Sequence, residues 1–243
     1  MGRAVISSEQ PLATGPQPLG AFRVCAYSRP YGGGSRGGDR FRLELGPEGQ
    51  LCFFMADATG HGEQAAAFWD AYAVDLEPLW RAFVDERQDL EALGRGFNEA
   101  LCAHKIDAVA SQLCMLLGAA RPGGALTWAN FGYGVHLLPV DADGVWWAEP
   151  SRLFGLKLGW IRGEAWLATE RALVSNALTD VRRIVLLTDG FLEDDYRDPL
   201  ATLAGLRVLG ERVASLSLAE ADEHLRAIPH EEDDASLVIV DRA

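Results

Sequence analysis

The sequence has few cysteines, and none of them are spaced as in a zinc site. Its four cysteines include no C-x-x-C pair, which argues against zinc ribbons and dithiol redox motifs. Cys25, Cys52 and Cys114 fall within apolar stretches, where a thiol behaves as a small hydrophobic side chain. Disulfide bonds are therefore not expected, and the composition is typical of a protein from a reducing compartment.

No part of the sequence has the features needed for export or for a membrane. The N-terminus lacks the basic start and apolar run of a secretory signal, and no apolar run approaches the ~20 residues that span a bilayer. Positive charge is scarce too, since 22 Lys and Arg against 35 Asp and Glu give a formal net charge of −13. Nucleic acids and anionic membranes are themselves negative, so neither is an expected partner. We expect a cytoplasmic protein.

The length and the apolar patterns predict a single α+β domain. The 243 residues suit one domain with a sizeable core, with residues 1–19 as a flexible N-terminal tail and residues 20–243 as the domain. The patterns predict strands at 21–27, 40–45 and 50–56, helices at 63–86 and 90–101, strands at 111–120, 124–130, 133–140, 144–148, 165–169 and 182–188, a helix at 199–227 broken near Gly205 and Gly210, and a strand at 236–240. Antiparallel hairpins with helices outside favour two packed antiparallel sheets over a parallel βαβ fold.

Four aspartates stand at the ends of predicted strands, next to loops. Asp39 follows Gly37-Gly38 and opens a strand, Asp57 and Asp189 end apolar strands, and Asp233 precedes the last strand. An aspartate at the end of a buried strand must be solvated, hydrogen-bonded or bound to a cation. Any one of them alone is more simply explained as a turn residue or a helix cap. Together, in this order, they favour a shared site for hard divalent cations.

The order of motifs resembles the PPM family of metal-dependent protein phosphatases, and within it the bacterial branch of sporulation and stress-response phosphatases. The motifs are Gly-Gly-Asp (37–39), Asp-x-x-Gly-His-Gly (57–62), an Ala-Asn-Ala-Gly-His-like turn (129–133), a Pro-Leu-Gly-Leu-like turn (153–156), Thr-Asp-Gly-x-x-Glu (188–193) and Asp-Asp-x-Ser (233–236). They cover roughly residues 21–241. Each motif alone is weak, and their common order is what makes the resemblance specific.

The resemblance implies two packed antiparallel sheets flanked by helices, with two divalent cations, Mn²⁺ or Mg²⁺, in a cleft at one end. By position, Asp57 would bridge both ions, the backbone carbonyl of Ala58 would bind one, and Asp39, Asp189 and Asp233 would complete the set. A water between two cations loses much of its proton affinity and attacks phosphorus in line. In that branch the substrate is a phosphorylated protein, an antagonist of an anti-sigma factor in a partner-switching circuit, which is an expectation by analogy here.

Two further residues are candidates for catalysis. His61 resembles the histidine of the Gly-His-Gly turn and is suited to protonate the leaving serine oxygen, or equally to fix its loop by hydrogen bonds. Arg36 precedes Asp39 in a glycine-rich loop and is a candidate to bind the substrate phosphate through two hydrogen bonds, although such an arginine is more often merely exposed. Phe131 and Tyr133 replace the second alanine and the histidine of the Ala-Asn-Ala-Gly-His turn, so any role of that histidine is lost.

Two other functions are alternatives to the phosphatase. Gly37–Phe41 differs by one residue from the Gly-Gly-Asp-Glu-Phe hairpin of diguanylate cyclases, but Arg40 replaces the glutamate and only 36 residues precede the hairpin, too few for that domain. The stronger alternative is a catalytically silent PPM-like binding module that recognises a regulatory partner protein. Such a module is expected to lose a metal-binding aspartate, and all four are present, which favours the enzyme.

Overall fold

The computed structural model describes residues 4–8, 12–86, 89–103, 112–141, 143–145, 157–159, 161, 176–192, 199–228 and 233–243. In these residues lie the strands β1 (Val5–Ser7), β2 (Leu12–Leu19), β3 (Phe22–Arg29), β4 (Arg40–Leu45), β5 (Leu51–Ala58), β6 (Leu113–Ala120), β7 (Leu126–Phe131), β8 (Val135–Val140), β9 (Asn176–Leu178), β10 (Arg183–Thr188) and β11 (Ala235–Arg242). The helices are α1 (Gly62–Glu86), α2 (Leu90–Ala103), α3 (Pro199–Ala214) and α4 (Leu218–Arg226). The predicted turn at 153–156, the strand at 165–169 and most of the strand at 144–148 lie outside the described residues.

The strands form two antiparallel sheets that pack face to face. The first sheet has the order β1-β4-β5-β6-β7-β9 and the second β2-β3-β11-β10-β8, and each pairing between neighbours is antiparallel. Helices α1 and α2 cover the outer face of the first sheet, and α3 and α4 cover that of the second. The predicted α+β fold, two packed antiparallel sheets flanked by helices, is confirmed.

The two-residue period of the strands places a carboxylate at the end of the core between the sheets. In β5, Leu51, Phe53 and Met55 point into that core, whereas Cys52 faces α1 and α2. Successive side chains of a strand point to opposite faces. Asp57 therefore continues the inward-facing row at the point where the apolar side chains stop.

Helix α1 is tied to the first sheet by a buried carboxylate. Glu44 of β4 is fully buried, pairs with Arg42 and Arg81, and accepts a hydrogen bond from Nε1 of Trp80 at 3.1 Å. A buried charge of this kind is tolerated only when it is paired and hydrogen-bonded. The network therefore fixes the C-terminal half of α1 against β4. Among the helices described, none combines the length and apolarity that a membrane crossing demands.

Two strands lie within the first 19 residues, whose composition predicted a flexible tail. Val5–Ser7 pairs with β4, and Leu12–Leu19 pairs with β3 through a register shift between Thr14 and Gln17. Pro16 lies within that shift, where the ladder hydrogen bond that proline cannot donate is not required. The composition was misleading because irregular edge strands accept glycine and proline. The boundary of the domain itself stays a prediction.

The break in the C-terminal helical segment also differs from the prediction. Helix α3 continues through Gly205 and Gly210, and the break precedes α4 at Ser217. The Ser217 hydroxyl accepts from the N–H of Glu220 at 3.3 Å, and the Glu220 carboxylate accepts from the N–H of Ser217 at 2.9 Å, which is a capping box. A glycine costs a helix about 1 kcal/mol, which the apolar contacts of α3 with the second sheet offset.

Candidate metal centre

The four predicted metal-binding aspartates lie together at one end of the space between the sheets. Asp39 precedes β4, Asp57 lies near the end of β5, Asp189 follows β10 and Asp233 precedes β11. Burial raises the pKa of all four carboxyl groups, that of Asp189 to about 7, and the charges of neighbouring aspartates raise each of them further. Asp57 and Asp189 both lie beside Gly134, Thr188 next to Asp189 donates to Asp39, and Asp234 next to Asp233 accepts from the N–H of Gly38 next to Asp39, so the four carboxylates share one cluster.

Gly134, in the turn between β7 and β8, brings two of these carboxylates together. A methyl group at Gly134 would collide with Oδ2 of Asp57 and would lie 3.4 Å from Oδ2 of Asp189. The N–H of Asp189 donates to the carbonyl oxygen of Gly134 at 3.0 Å, which joins the loop after β10 to this turn. Gly134 was not predicted as a site residue, although it is a second glycine directly after the turn motif at 129–133.

Asp39 is held in place from the second sheet. It is buried, and Oγ1 of Thr188 donates to its Oδ2 at 2.7 Å. The same hydroxyl oxygen accepts from the N–H of Ser236 at 2.9 Å. One threonine at the end of β10 therefore links β11 to the aspartate of the first sheet and fixes the direction of its carboxylate.

Asp234 organises the loops around the cluster, a role that the sequence analysis did not assign. Its carboxylate is buried. Oδ1 accepts from the N–H of Tyr31 at 2.7 Å, and Oδ2 accepts from the N–H groups of Gly38 at 2.7 Å and Gly62 at 3.0 Å. A side chain at Gly37 would lie 2.6 Å from Oδ1, so the close approach requires glycine. One carboxylate thus joins the loops that precede β4 and α1 to the start of β11.

The other two candidates of the Asp57 motif are Ala58, the last residue of β5, and His61, in the loop that follows. The N–H of Ala58 donates to the carbonyl oxygen of Gly38 at 3.4 Å, so Ala58 lies beside the loop of Asp39. His61 is exposed, and its ring packs against that of Tyr31 with centroids 4.1 Å apart. Burial raises the pKa of Asp233, and His61 opposes that shift, which means that the histidine borders the cluster. The roles of both residues stay predictions.

Arg36 is engaged by a carboxylate on α1. Its two Nη atoms donate to the two carboxylate oxygens of Asp70 at 2.5 and 3.0 Å, and these hydrogen bonds lower the pKa of Asp70. Exposed ion pairs of this kind add little to stability. Arg36 uses for Asp70 the same N–H donors with which it would bind a phosphate. Binding of a phosphate by Arg36 therefore requires the pair to open, and its predicted role stays a prediction.

The chemistry of the cluster suits hard divalent cations. Carboxylate oxygens and main-chain carbonyls are the ligands that Mg²⁺ and Mn²⁺ accept, and the raised pKa values indicate negative charge that is not compensated. In the part of the chain that is described, however, no three Asp, Glu, His or Cys side chains form a closed coordination group. Unneutralised carboxylates repel one another, and Mg²⁺ takes only one or two carboxylates and several waters. The carboxylates of a metal site are therefore expected to lie further apart before the ions bind.

The raised pKa values predict how the stability of the metal-depleted protein depends on pH. An acidic group with a higher pKa in the folded state binds more protons there, so the free energy of unfolding falls as pH rises between the two pKa values. For Asp189 this interval runs from 3.8 to about 7. We expect Asp189→Asn to unfold at a higher temperature than the wild type in chelator, with a difference that grows from about pH 5 to about pH 7.5. A difference that is constant across this range would contradict the assigned pKa shift.

Comparisons with known proteins agree with this architecture. The profile of the family described as Stage II sporulation protein E (SpoIIE) matches residues 47–243. RsbX in complex with magnesium superposes with a TM-score of 0.66 at 14% identity, over 96% of this chain and 100% of that one. The SiaA-PP2C domain of Pseudomonas aeruginosa gives 0.65 at 16% identity, over 90% of this chain and 85% of that one. The PP2C phosphatase domain of SpoIIE from Bacillus subtilis, with a fragment of its regulatory domain, gives 0.62 at 17% identity, over 94% and 64%. No curated protein matches the sequence.

Proposed function

The chain belongs to the SpoIIE family, and from that membership we propose that it is a metal-dependent phosphatase that hydrolyses phosphoserine or phosphothreonine on a protein. The observation that carries the proposal is the convergence of four carboxylates from separate loops at one end of the sandwich. Four negative charges balance two divalent cations. The likeness of the fold to PP2C-type phosphatase domains supports the same reading.

Each residue of the cluster has a part in the proposed reaction. Asp57, with Asp39, Asp189 and Asp233 and the carbonyl of Ala58, would hold two Mn²⁺ or Mg²⁺ ions. When bound, the two ions supply a water of lowered pKa as the nucleophile and neutralise charge on the phosphate. The hydrogen bond from Thr188 keeps the carboxylate of Asp39 directed at the cluster, and the contacts of Asp234 hold the loops that carry the ligands.

His61 is the candidate general acid of this reaction. It is exposed, borders Asp233, and lies on the loop that follows Asp57. An imidazole there would donate a proton to the oxygen of the departing serine or threonine. The ring of His61 packs against that of Tyr31, and this contact would orient the imidazole for the proton transfer.

The proposed substrate is a phosphorylated regulatory protein. By analogy with the sporulation and stress-response branch, it would be an antagonist of an anti-sigma factor within a partner-switching circuit in the cytoplasm. The net charge of −13 supports a protein partner over nucleic acid or an anionic membrane.

Hydrolysis of an aryl phosphate is expected to require added divalent metal, because hard oxygen ligands hold such ions reversibly. Mn²⁺ or Mg²⁺ should support turnover of p-nitrophenyl phosphate and of a phosphoserine peptide, excess chelator should abolish it, and fresh metal should restore it. Full activity after exhaustive chelation would exclude the proposal. Metal binding by calorimetry without turnover of either substrate would instead favour the silent binding module.

A further inference from the structure

A lysine approaches the aspartate cluster along the hydrogen-bonding register of the first sheet. Leu113 and Leu158 exchange backbone hydrogen bonds of 3.1 and 2.9 Å as an antiparallel bridge. On the other side of β6, Leu113 is paired with Ala58 and Cys114 with Asp57. Lys157, which directly precedes Leu158, therefore lies at the end of the first sheet where Asp57 and Cys114 lie.

The side chain of Cys114 faces the space between the sheets and not the helices. Cys114 belongs to the core between the sheets, whereas Leu113 and Leu158 pack on the side of α1 and α2. Burial alone would lower the pKa of Lys157, yet the neighbouring acidic groups Cys114 and Tyr133, and after them Asp57 and Asp189, raise it overall. Lys157 contacts the ring of Tyr133, and Tyr133 directly precedes Gly134, beside which the carboxylates of Asp57 and Asp189 lie, so the ammonium is near the cluster.

The ammonium of Lys157 is held at the exposed rim of the cluster by an aromatic ring. Its Nζ lies 5.2 Å from the centroid of the Tyr133 ring, a cation–π distance, and Tyr133 is 42% exposed. Tyr133 stands at the position of the histidine in the resembled Ala-Asn-Ala-Gly-His turn. The side chain at this position therefore borders both the lysine and solvent.

The charge balance of the loaded centre leaves Lys157 available to an anion. Two divalent cations would neutralise the four ligand carboxylates, and the fifth, Asp234, is held by backbone N–H groups, so the ammonium would not be required as a counter-ion of the ligands. The guanidinium of Arg36, which the sequence analysis considered for the phosphate, is taken up by Asp70. Lysine binds phosphate as a point charge and needs no fixed fork geometry.

We propose that Lys157 is a phosphate-binding residue, which holds the phosphoryl group of the substrate against the metal centre from the side of Tyr133. The proposal rests on the proposed phosphatase function. It assigns to the strand-like segment at 157–159 a part in substrate binding that none of the sequence motifs indicated.

The test compares Lys157→Met and Lys157→Arg with the wild type, each loaded with Mn²⁺. Because a hydrogen bond to a charged group contributes ~1.5–3 kcal/mol, we expect Lys157→Met to raise the KM for p-nitrophenyl phosphate and the inhibition constant of inorganic phosphate about 10-fold or more. Lys157→Arg should recover most of the loss. Calorimetric Mn²⁺ affinity should not weaken in either variant. Arg207→Met, which removes one exposed positive charge on α3, is the matched control and should change none of these values.

The outcomes separate this inference from the proposed function. Unchanged KM and phosphate inhibition in Lys157→Met would overturn the inference, as would tighter Mn²⁺ binding with unchanged phosphate inhibition, because the lysine would then only be a counter-ion of the carboxylates. Absence of Mn²⁺ binding in the wild type would count against the proposed function.

A second measurement needs no variant. The sequence has only two lysines, Lys105 and Lys157, so an amine-reactive reagent and mass spectrometry can follow each one separately. With Mn²⁺ present, inorganic phosphate is expected to slow modification of Lys157 several-fold relative to Lys105. Equal rates with and without phosphate would overturn the inference even if Lys157→Met failed to fold.

Discussion

Asp57→Asn and Asp189→Asn are each expected to remove nearly all turnover while the protein still unfolds cooperatively. A neutral amide cannot balance the charge of two cations, and loss of even an outer-shell partner typically costs a metal site 10–100-fold, so a ligand should cost more than about 100-fold. Without metal, both variants should be more stable than the wild type at neutral pH, because burial and neighbouring charges raise the pKa of both carboxyl groups.

The matched control for these variants is Asp180→Asn. Asp180 is exposed and has a φ of 61°, a left-handed conformation that asparagine also adopts readily. This substitution removes one carboxylate away from the cluster and should leave turnover, Mn²⁺ affinity and the unfolding midpoint unchanged. If Asp57→Asn or Asp189→Asn kept a substantial fraction of the wild-type rate, that residue would not be a metal ligand.

Asp234→Ala is expected to destabilise the protein strongly and to weaken metal binding, although Asp234 is not itself a predicted ligand. The N–H groups of Tyr31, Gly38 and Gly62 would lose a charged acceptor. Each such bond contributes ~1.5–3 kcal/mol, and since these losses are not additive we expect a total of roughly 3–5 kcal/mol. Urea unfolding and Mn²⁺ calorimetry would measure the two effects.

Asp234→Asn tests whether the acceptor oxygens of this residue cause the effect. The amide keeps the shape of the carboxylate but has only one acceptor oxygen. The free energy of unfolding of this variant should therefore lie between those of the wild type and Asp234→Ala. Wild-type stability and Mn²⁺ affinity in Asp234→Ala would show that other contacts hold the loops. Loss of activity with both quantities unchanged would point to a direct role of Asp234 in catalysis.

Much of the fold was predictable because its signals are local. The alternation in β5 and the run of apolar residues in β10 depend only on neighbours in sequence, and so does the turn chemistry between β4 and β5. The same local patterns put Asp57 and Asp189 at strand ends. The order of the motifs then indicated the family, and the predicted α+β sandwich is confirmed.

Local sequence patterns predicted most of the elements and the four aspartates, whereas the residues that contact those aspartates follow from the tertiary structure. Asp234 contacts Tyr31 across 203 positions, and the bridge of Leu158 to β6 brings Lys157 to the end of the first sheet where Asp57 lies. Gly134 is needed because carboxylates from different sheets lie where its side chain would be. The spacing of apolar residues along the chain does not indicate such contacts, because they depend on how the two sheets pack and on which strands become neighbours. For the same reason the composition of residues 1–19 did not indicate β1 and β2, since an edge strand acquires its partners only in the assembled sheet.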